Sequence, residues 1–374
     1  MKKVIIWLVI ILAIIFIVVF ASKNKTENSD VKSGEVIKIG IAIPLTGNYA
    51  SIGENIKRGF DLAKKDLESG KKDLAINLVY EDACLPKDIT SAVQKLINID
   101  KVKTINQFCA IGLVPSIAIT EPNKIISMGV AANVDDLLGK NYYFSTNFLV
   151  RDNAKTIADF TVNNLKAKKA AFIYYNTQFG KDYRKYIGAR FTELGGQVVA
   201  DEMTSLDTND FRTNLTKIKA AKPDVIFVTQ LTGALGTIIK QTKELDIQTP
   251  LVGNYQNEDP VVLSVAGKTA EGFIISSADP AILGDDSNGF RDHFKQLYGV
   301  FPDVFASNAY DALHLEVAAY LVCGEDVECI KTELHKIKYY HGVSGNISID
   351  ENGVASKPTL FKIVKDGQFV KLEN

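Results

Sequence analysis

The sequence predicts an α/β protein built from two doubly wound units, and three observations carry that prediction. Ile37, Ile39, Ile41 and Ile43 are apolar at every second position, with Lys38, Gly40 and Ala42 between them. A lysine and two small residues at the alternate positions suit a strand covered on both faces. Strand and helix patterns then alternate with little interruption along the chain, which is how parallel sheets with crossover helices read. Finally, residues from about 36 to 374 are enough for two domains of ordinary size.

After the first strand, Pro44 and Gly47 open a loop. Gly53 to Lys65 follows as a helix, with Ile56, Phe60, Ala63 and Leu67 on one stripe. A buried strand, a small-residue loop and a helix N-terminus build the rim of a ligand cleft in open α/β sheets. Strands are expected at Ile76 to Glu81, Thr104 to Phe108, Lys124 to Gly129 and Tyr142 to Thr146, with a helix from Val114 to Asn123. The second unit begins with an amphipathic helix, Asp152 to Leu165, whose Ile157, Phe160 and Leu165 point inward. Strands at Lys169 to Tyr175, Gln197 to Met203, Val225 to Thr229, Leu251 to Gly253 and Gly272 to Ser276 alternate with helices at Phe179 to Leu194, Phe211 to Ala220 and Leu231 to Leu245. Three helices, Asn288 to Tyr298, Asn308 to Cys323 and Val327 to His335, run almost consecutively. The tail closes with strands at Gly345 to Ile349, Leu360 to Val364 and Phe369 to Leu372, turning at Asn352-Gly353 and Asp366-Gly367.

The N-terminus sets the compartment. Lys2 and Lys3 precede an apolar run of about eighteen residues, Val4 to Ala21, and residues 22–35 are a polar linker. Such a run is near the minimum for a bilayer span and longer than a usual signal-peptide core. Residues 1–21 are therefore expected to be a signal or a transmembrane anchor, and Val19-Phe20-Ala21 makes a poor cleavage site. Either outcome places the body outside the cytoplasm, in the periplasm or at the cell surface. No cysteine closes the run, so lipid attachment there is excluded. Net charge is -1, and no basic stripe with interleaved aromatics argues for nucleic acid.

Four cysteines in an exported chain invite pairing. Cys84 and Cys109 each follow a strand, and parallel neighbours would bring those strand ends together. Cys323 and Cys329 flank a short acidic turn between two helices. No Cys-x-x-Cys spacing supports a tetrathiolate zinc site, and free buried thiols are the remaining alternative.

The body resembles the leucine/isoleucine/valine-binding family, the type I periplasmic binding proteins that serve ATP-driven importers. Ile39-Gly40, Pro44-Leu45-Thr46-Gly47 and Gly53 are similar to the family's first strand and loop. Glu81-Asp82-Ala83-Cys84 with Pro86 resembles its Asp-x-Cys-x-Pro turn, and Cys109 stands where the disulfide partner stands. Asp210-Phe211, Lys217-Ile218-Lys219, Pro223-Asp224-Val225-Ile226, Ala270-Glu271-Gly272 and Asn308-Ala309-Tyr310-Asp311-Ala312 extend the match to about Leu372. The resemblance implies two lobes joined by three crossovers, the type I periplasmic-binding-protein fold. Lobe one would be 36–149 plus 279–345, and lobe two 150–278 plus 346–374. A ligand would lie in the cleft between them and be captured by hinge closure. A monomer with an importer permease as partner is expected.

The family's amino-acid grip departs at several positions of this chain. A serine just after the second cysteine is replaced by Ala110-Ile111-Gly112. The threonine after the next strand falls in Val130-Ala131-Ala132-Asn133. Ile52 stands for an aromatic, Phe179 for a tyrosine, and Tyr255 for the acid that takes the ligand's ammonium, with Glu258 nearby. Each lost hydrogen bond to a charged group is worth about 1.5–3 kcal/mol. What remains near the expected cleft is apolar, with amides and phenols: Asn48, Tyr49, Asn133, Asn147, Gln230, Asn254, Tyr255 and Gln256. The ligand is therefore expected to be less charged than an amino acid, or to carry one carboxylate on an apolar body. Arg151 is a candidate partner for such a carboxylate, and a surface pairing with Asp152 or Glu193 is its plainer role.

Enzymatic signals are weak. There is no Gly-x-Ser-x-Gly and no His-Glu-x-x-His, and Gly267-Lys268-Thr269 lacks the earlier glycine of a phosphate loop. His293, His314, His335 and His341 are scattered in sequence, and His314 on an apolar helix is expected to be a packed core residue. No catalytic residue, metal or cofactor is assigned. A transport receptor is the expected role, and a membrane-anchored sensing ectodomain with the same cleft is the alternative.

Overall fold

The computed structural model describes residues 36–131, 135–230, 232–278 and 284–373, with the side chains of 48, 110, 111, 232, 278 and 284–288 set aside. The N-terminal hydrophobic segment and linker lie outside the described residues. Among the described residues, no helix is long and apolar enough to cross a membrane.

The first sheet is formed by β1 (Val36–Ile43), β2 (Ala75–Asp82), β3 (Thr104–Gln107), β4 (Ile126–Gly129) and β5 (Tyr143–Ser145), all parallel, in the order β2-β1-β3-β4-β5. Its crossover helices are α1 (Ala50–Gly70), α2 (Pro86–Asn98) and α3 (Ala110–Thr120). Ile37, Ile39, Ile41 and Ile43 face one apolar cluster, while Ala42 faces another built around Val93 and Leu96. The strand is thus covered on both faces, as its alternation of isoleucine with small residues requires. Helix α2 was not anticipated from the sequence, although Pro86 at its first turn is a regular start signal.

The second unit comprises α4 (Val150–Asn163), β6 (Lys169–Tyr175), α5 (Gln178–Glu193), β7 (Gln197–Thr204), α6 (Arg212–Ala221), β8 (Val225–Thr229), α7 (Thr232–Glu244), β9 (Leu251–Gly253), α8 (Pro260–Ala266) and β10 (Ile274–Ala278). The chain then returns to the first unit through α9 (Gly284–Tyr298), α10 (Val304–Cys323) and α11 (Val327–His335). Ala309, Ala312, Leu313 and Leu315 of α10 join the cluster that holds the β1 isoleucines. Last come β11 (Tyr340–Gly342), β12 (Gly345–Ile349), β13 (Ala355–Ser356), β14 (Thr359–Lys365) and β15 (Gln368–Lys371). The second sheet runs β15-β14-β10-β9-β8-β6-β7, with β14 and β15 antiparallel at its edge.

One boundary differs from the expected division. Residues 345–356 do not join the second sheet: Ile347, Ile349 and Ala355 are buried in the first core, and Ser145 N donates to Gly353 O at 2.9 Å. The alternation in β12 buries its isoleucines against the nearest apolar face, and that face belongs to α10 and α11. The chain crosses to the second sheet only at 357–358.

Both disulfides form, with Cα separations of 5.2 Å for Cys84–Cys109 and 5.5 Å for Cys323–Cys329. Strand adjacency is not the reason for the first, because β1 lies between β2 and β3. Instead, α2 and α3 pack side by side and bring the loops that precede them together. Gly112 makes the approach possible, since a Cβ there would stand 2.5 Å from the Cys84 carbonyl oxygen. Loop-closure entropy assigns about 3.5 kcal/mol to the longer bridge and about 2 kcal/mol to the shorter. Paired Cys→Ala variants should lower chemical-denaturation stability in that order, and equal losses would refute it.

Glu316 is buried in α10, where its Oε2 accepts from Asn106 Nδ2 at 2.7 Å. Burial pushes this carboxyl up to about 8, against the pull of its contacts with Asn106 and Thr104. Between its ordinary value and about 8, the folded protein keeps a proton that the unfolded chain releases, so stability falls as pH rises through that window. Denaturation midpoints from pH 5 to pH 8 should show this fall for the wild type, by on the order of 3 kcal/mol. E316Q, which cannot ionise, should lose most of that slope.

Candidate functional site

In an open parallel sheet, the residues beyond the carboxyl ends of the strands are the ones free to form a site. Both sheets present such a rim, and contacts join the two.

On the first rim, the loop after β1 is held by Asp82 at the end of β2. Its carboxylate accepts the Thr46 hydroxyl and the Leu45 and Thr46 amides, at 2.7 and 3.2 Å for the amides. The Thr46 hydroxyl is the largest influence keeping that carboxyl below its usual range, with the two amides adding to it. Gly53 lets α1 start directly against this loop, since a Cβ there would lie 1.6 Å from the Pro44 carbonyl oxygen. The loop ends in a short 3₁₀ turn, Gly47–Tyr49.

On the second rim, Thr177 caps α5 by accepting Gly180 N at 3.2 Å. Phe179, in its first turn, lies 6.4 Å from Tyr175 and 4.9 Å from Tyr183, centroid to centroid. Burial is the main influence raising the Tyr175 phenol, and Tyr255 and the first-rim Tyr49 add to the rise.

Asn147 links the rims. From the first crossover its Nδ2 donates to Ala131 O at 2.9 Å and to Tyr255 Oη at 2.8 Å. The Tyr255 ring meets Phe148 edge-on at 4.5 Å. Burial pushes the Tyr255 hydroxyl up to about 12, against the bonds from Asn147 and Gln256. It therefore stays a neutral phenol throughout the physiological range.

The positions singled out from the sequence fare unequally. Tyr255, Phe179 and Ala131 line or adjoin the meeting point of the rims. Ala131 contributes its backbone carbonyl, for its side chain is buried in the first core. Ala110 and Ile111 form the first turn of α3, at the end of β3. Gly112 lies in the close packing at the disulfide. Ile52 packs against the first core. Gln230 is buried, and its amide is spent on Thr204 Oγ1 at 2.8 Å. Asn133 lies outside the described residues.

The charged candidates are also committed. Arg151 Nη1 lies 3.6 Å from Asp135 and its Nε 3.4 Å from Asp152, with Glu193 instead pairing with Arg190. Glu258 bonds to Ser277 Oγ at 2.6 Å and forms an ion pair with Lys362. Asp259 caps α8 through Val261 N at 2.7 Å.

Two cavities lie on the first lobe. One of about 830 Å³ opens beside the β1 loop and α2, between Tyr49, Glu81, Asp88 and Lys95, and has no lining residue from the second sheet. The other, of about 330 Å³, gathers His293, His314 and His341 with Asp66, Tyr310 and Tyr340. His314 is thus a half-buried pocket wall, stacked on Tyr310, rather than a core residue. Among the described residues no group of three potential ligands is placed to hold a metal ion. The sequence carried no sign of Asn147's bridging role, which depends on a contact 108 residues away.

Residues 36–368 match the family described as periplasmic binding protein. An amino acid binding protein of Pseudomonas aeruginosa is 26% identical over 330 residues, 85% of this chain and 87% of that protein. The leucine binding protein of Thermotoga maritima superposes with a TM-score of 0.80 at 24% identity, covering 90% of this chain and 98% of that one. A solute binding protein of Rhodopseudomonas palustris, solved with 3,4-dihydroxybenzoic acid, superposes with a TM-score of 0.79 at 24% identity over 91% and 96%. With the matched span, the doubly wound lobes and the paired rims all in agreement, the chain belongs to the leucine/isoleucine/valine-binding family of type I periplasmic binding proteins.

Proposed function

We propose that this protein is the extracytoplasmic substrate-binding component of an ABC importer, and that it captures a small organic ligand with an apolar or aromatic body and no ammonium group. The ligand lies between a first lobe of 36–149 with 279–356 and a second lobe of 150–278 with 357–373. Closure swings these lobes about the crossovers, and the closed form is favoured by contacts that only a ligand touching both rims supplies.

The observation that carries the ligand class is the commitment of Glu258. It is the acid nearest in sequence to Tyr255, the position where the family resemblance places an ammonium partner. Its carboxylate is already neutralised by Lys362 and bonded to Ser277. An amino acid's ammonium would have to give up its hydration for a neutral phenol and amides, an exchange that costs several kcal/mol when no charge compensates. An aromatic or amide-bearing ligand meets Phe179, Tyr175 and Tyr255 without that loss. The Pseudomonas relative is named for amino acids and the Rhodopseudomonas structure holds a dihydroxybenzoic acid, so both chemistries occur among similar proteins.

A thermal-shift panel tests this reading on the purified protein, with leucine, isoleucine and valine set against aromatic carboxylates, amides and sugars. A ligand at a hundred times its dissociation constant adds about 2.7 kcal/mol, or several degrees at roughly 2–4 °C per kcal/mol. The branched-chain amino acids should leave the melting temperature unmoved while another class raises it. A clear shift with leucine would overturn the ligand class.

With a ligand identified by that panel, Tyr255→Phe should weaken binding about 3- to 10-fold through the lost hydroxyl. Glu258→Gln should change it less than about 2-fold, because its carboxylate faces Lys362 rather than the ligand. Calorimetry that ranked the two variants the other way would reinstate Glu258 as a ligand-binding acid.

A further inference from the structure

Asn308 has no exposed surface, and its three polar groups reach three separate parts of the chain. Its Nδ2 donates to Val130 O at 3.0 Å, at the exit of β4. Its carbonyl accepts the Thr146 hydroxyl at 3.2 Å, in the first crossover. Its Oδ1 accepts from Lys357 Nζ at 2.8 Å, in the last crossover. Lys357 is itself buried and donates further to Ser344 Oγ at 2.6 Å and Ser344 O at 3.2 Å. Ser344 in turn donates, through its amide at 2.8 Å and its hydroxyl, to Asp311 Oδ2 on α10. Asp311 Oδ1 accepts Val343 N at 2.9 Å.

A buried lysine in a linking segment is costly unless it is paired and hydrogen-bonded, and a hydrophobic residue would fill the same space at less cost. The feature therefore calls for a role beyond packing. The residues next in sequence to the Asn308 contacts indicate what that role is. Val130 precedes Ala131, and Thr146 precedes Asn147. Ala131 O and Tyr255 Oη are the two groups that Asn147 bridges. One polar chain thus runs from the last crossover, through Asn308, to the phenol at the meeting of the rims.

We propose that Lys357 and Asn308 are positioning residues for ligand capture: they lock the first and last crossovers to the β4 exit, fix where Asn147 presents Tyr255, and so set the angle between the lobes without touching ligand. This assignment rests on the ligand-capture reading of the cleft, but its test does not need a ligand. Nitroxides attached at the exposed positions Lys72 and Lys243, one on each lobe, report the lobe separation by pulsed electron paramagnetic resonance in the full, ligand-free protein.

K357M/D311N removes the ammonium and its counter-charge together, which avoids leaving either buried alone. T146V removes only the bond to the Asn308 carbonyl at nearly constant volume. Each variant that folds should show a broader interlobe distance distribution with a longer mean than the wild type. A distribution unchanged from wild type in the folded variants would overturn the proposal and leave the network a stabiliser of the first lobe. Should the double variant fail to fold, T146V decides alone. Because no ligand enters the measurement, this result stands apart from the outcome of the ligand panel.

Discussion

A chain that passes between two sheets must bury its linking segments at the seam, and polar groups buried there need partners. That constraint shapes the middle of this molecule. The link at 146–149 and the link at 357–358 are both tied to Asn308, whose backbone and side-chain groups serve them and the β4 exit together. Burial pushes the Lys357 ammonium down to about 7 while the Asp311 charge pulls the other way. Burial likewise raises the Asp311 carboxyl, against Lys357 and the bonds from Ser344 and Val343. The pair is held in place by shared contacts with Ser344 rather than by a short direct ion pair. These links adjoin Ala131 and Asn147, the residues whose contacts reach Tyr255.

The chemistry of the cleft follows from what the rims leave uncommitted. Charged side chains near the seam are matched inside the protein: Arg151 with Asp135 and Asp152, and Glu258 with Lys362. Tyr186 donates to Asp135 and so ties α5 to the turn at Asp135–Leu137. On the proposed reading, phenols and one phenylalanine are the groups that meet a ligand. Such groups select by shape, stacking and neutral hydrogen bonds, and they reward apolar area far more than formal charge.

Much of the fold was legible because it rests on local patterns. The isoleucine alternation of β1, the stripe of α1 and the strand–helix rhythm of the second unit each bury one face in a predictable way. Helix α2 went unread because its short amphipathic pattern sits behind a disulfide turn, and its start is marked only by Pro86. Residues 346–356 were assigned to the other unit because a strand's alternation says that one face is buried but not against which core. The Cys84–Cys109 pairing was anticipated on the wrong ground. Helix packing, not strand adjacency, closes it, and no local pattern encodes strand order.

The sequence by itself determined the fold class and the family, because each is written in periodicity or in motifs of a few neighbouring residues, and it suggested the cysteine pairs without the packing that closes them. It also pointed to Tyr255 and Phe179, which sit in short segments just beyond strands. Only the tertiary structure decided that Glu258 is spent on Lys362, that Gln230 is spent on Thr204, and that three dispersed histidines share one pocket. It alone revealed Asn147 and Asn308 as the residues on which the seam turns. Their partners lie up to 178 residues away in the chain, and a hydrogen bond between such distant groups exists only once the chain has left the first sheet and folded back onto it.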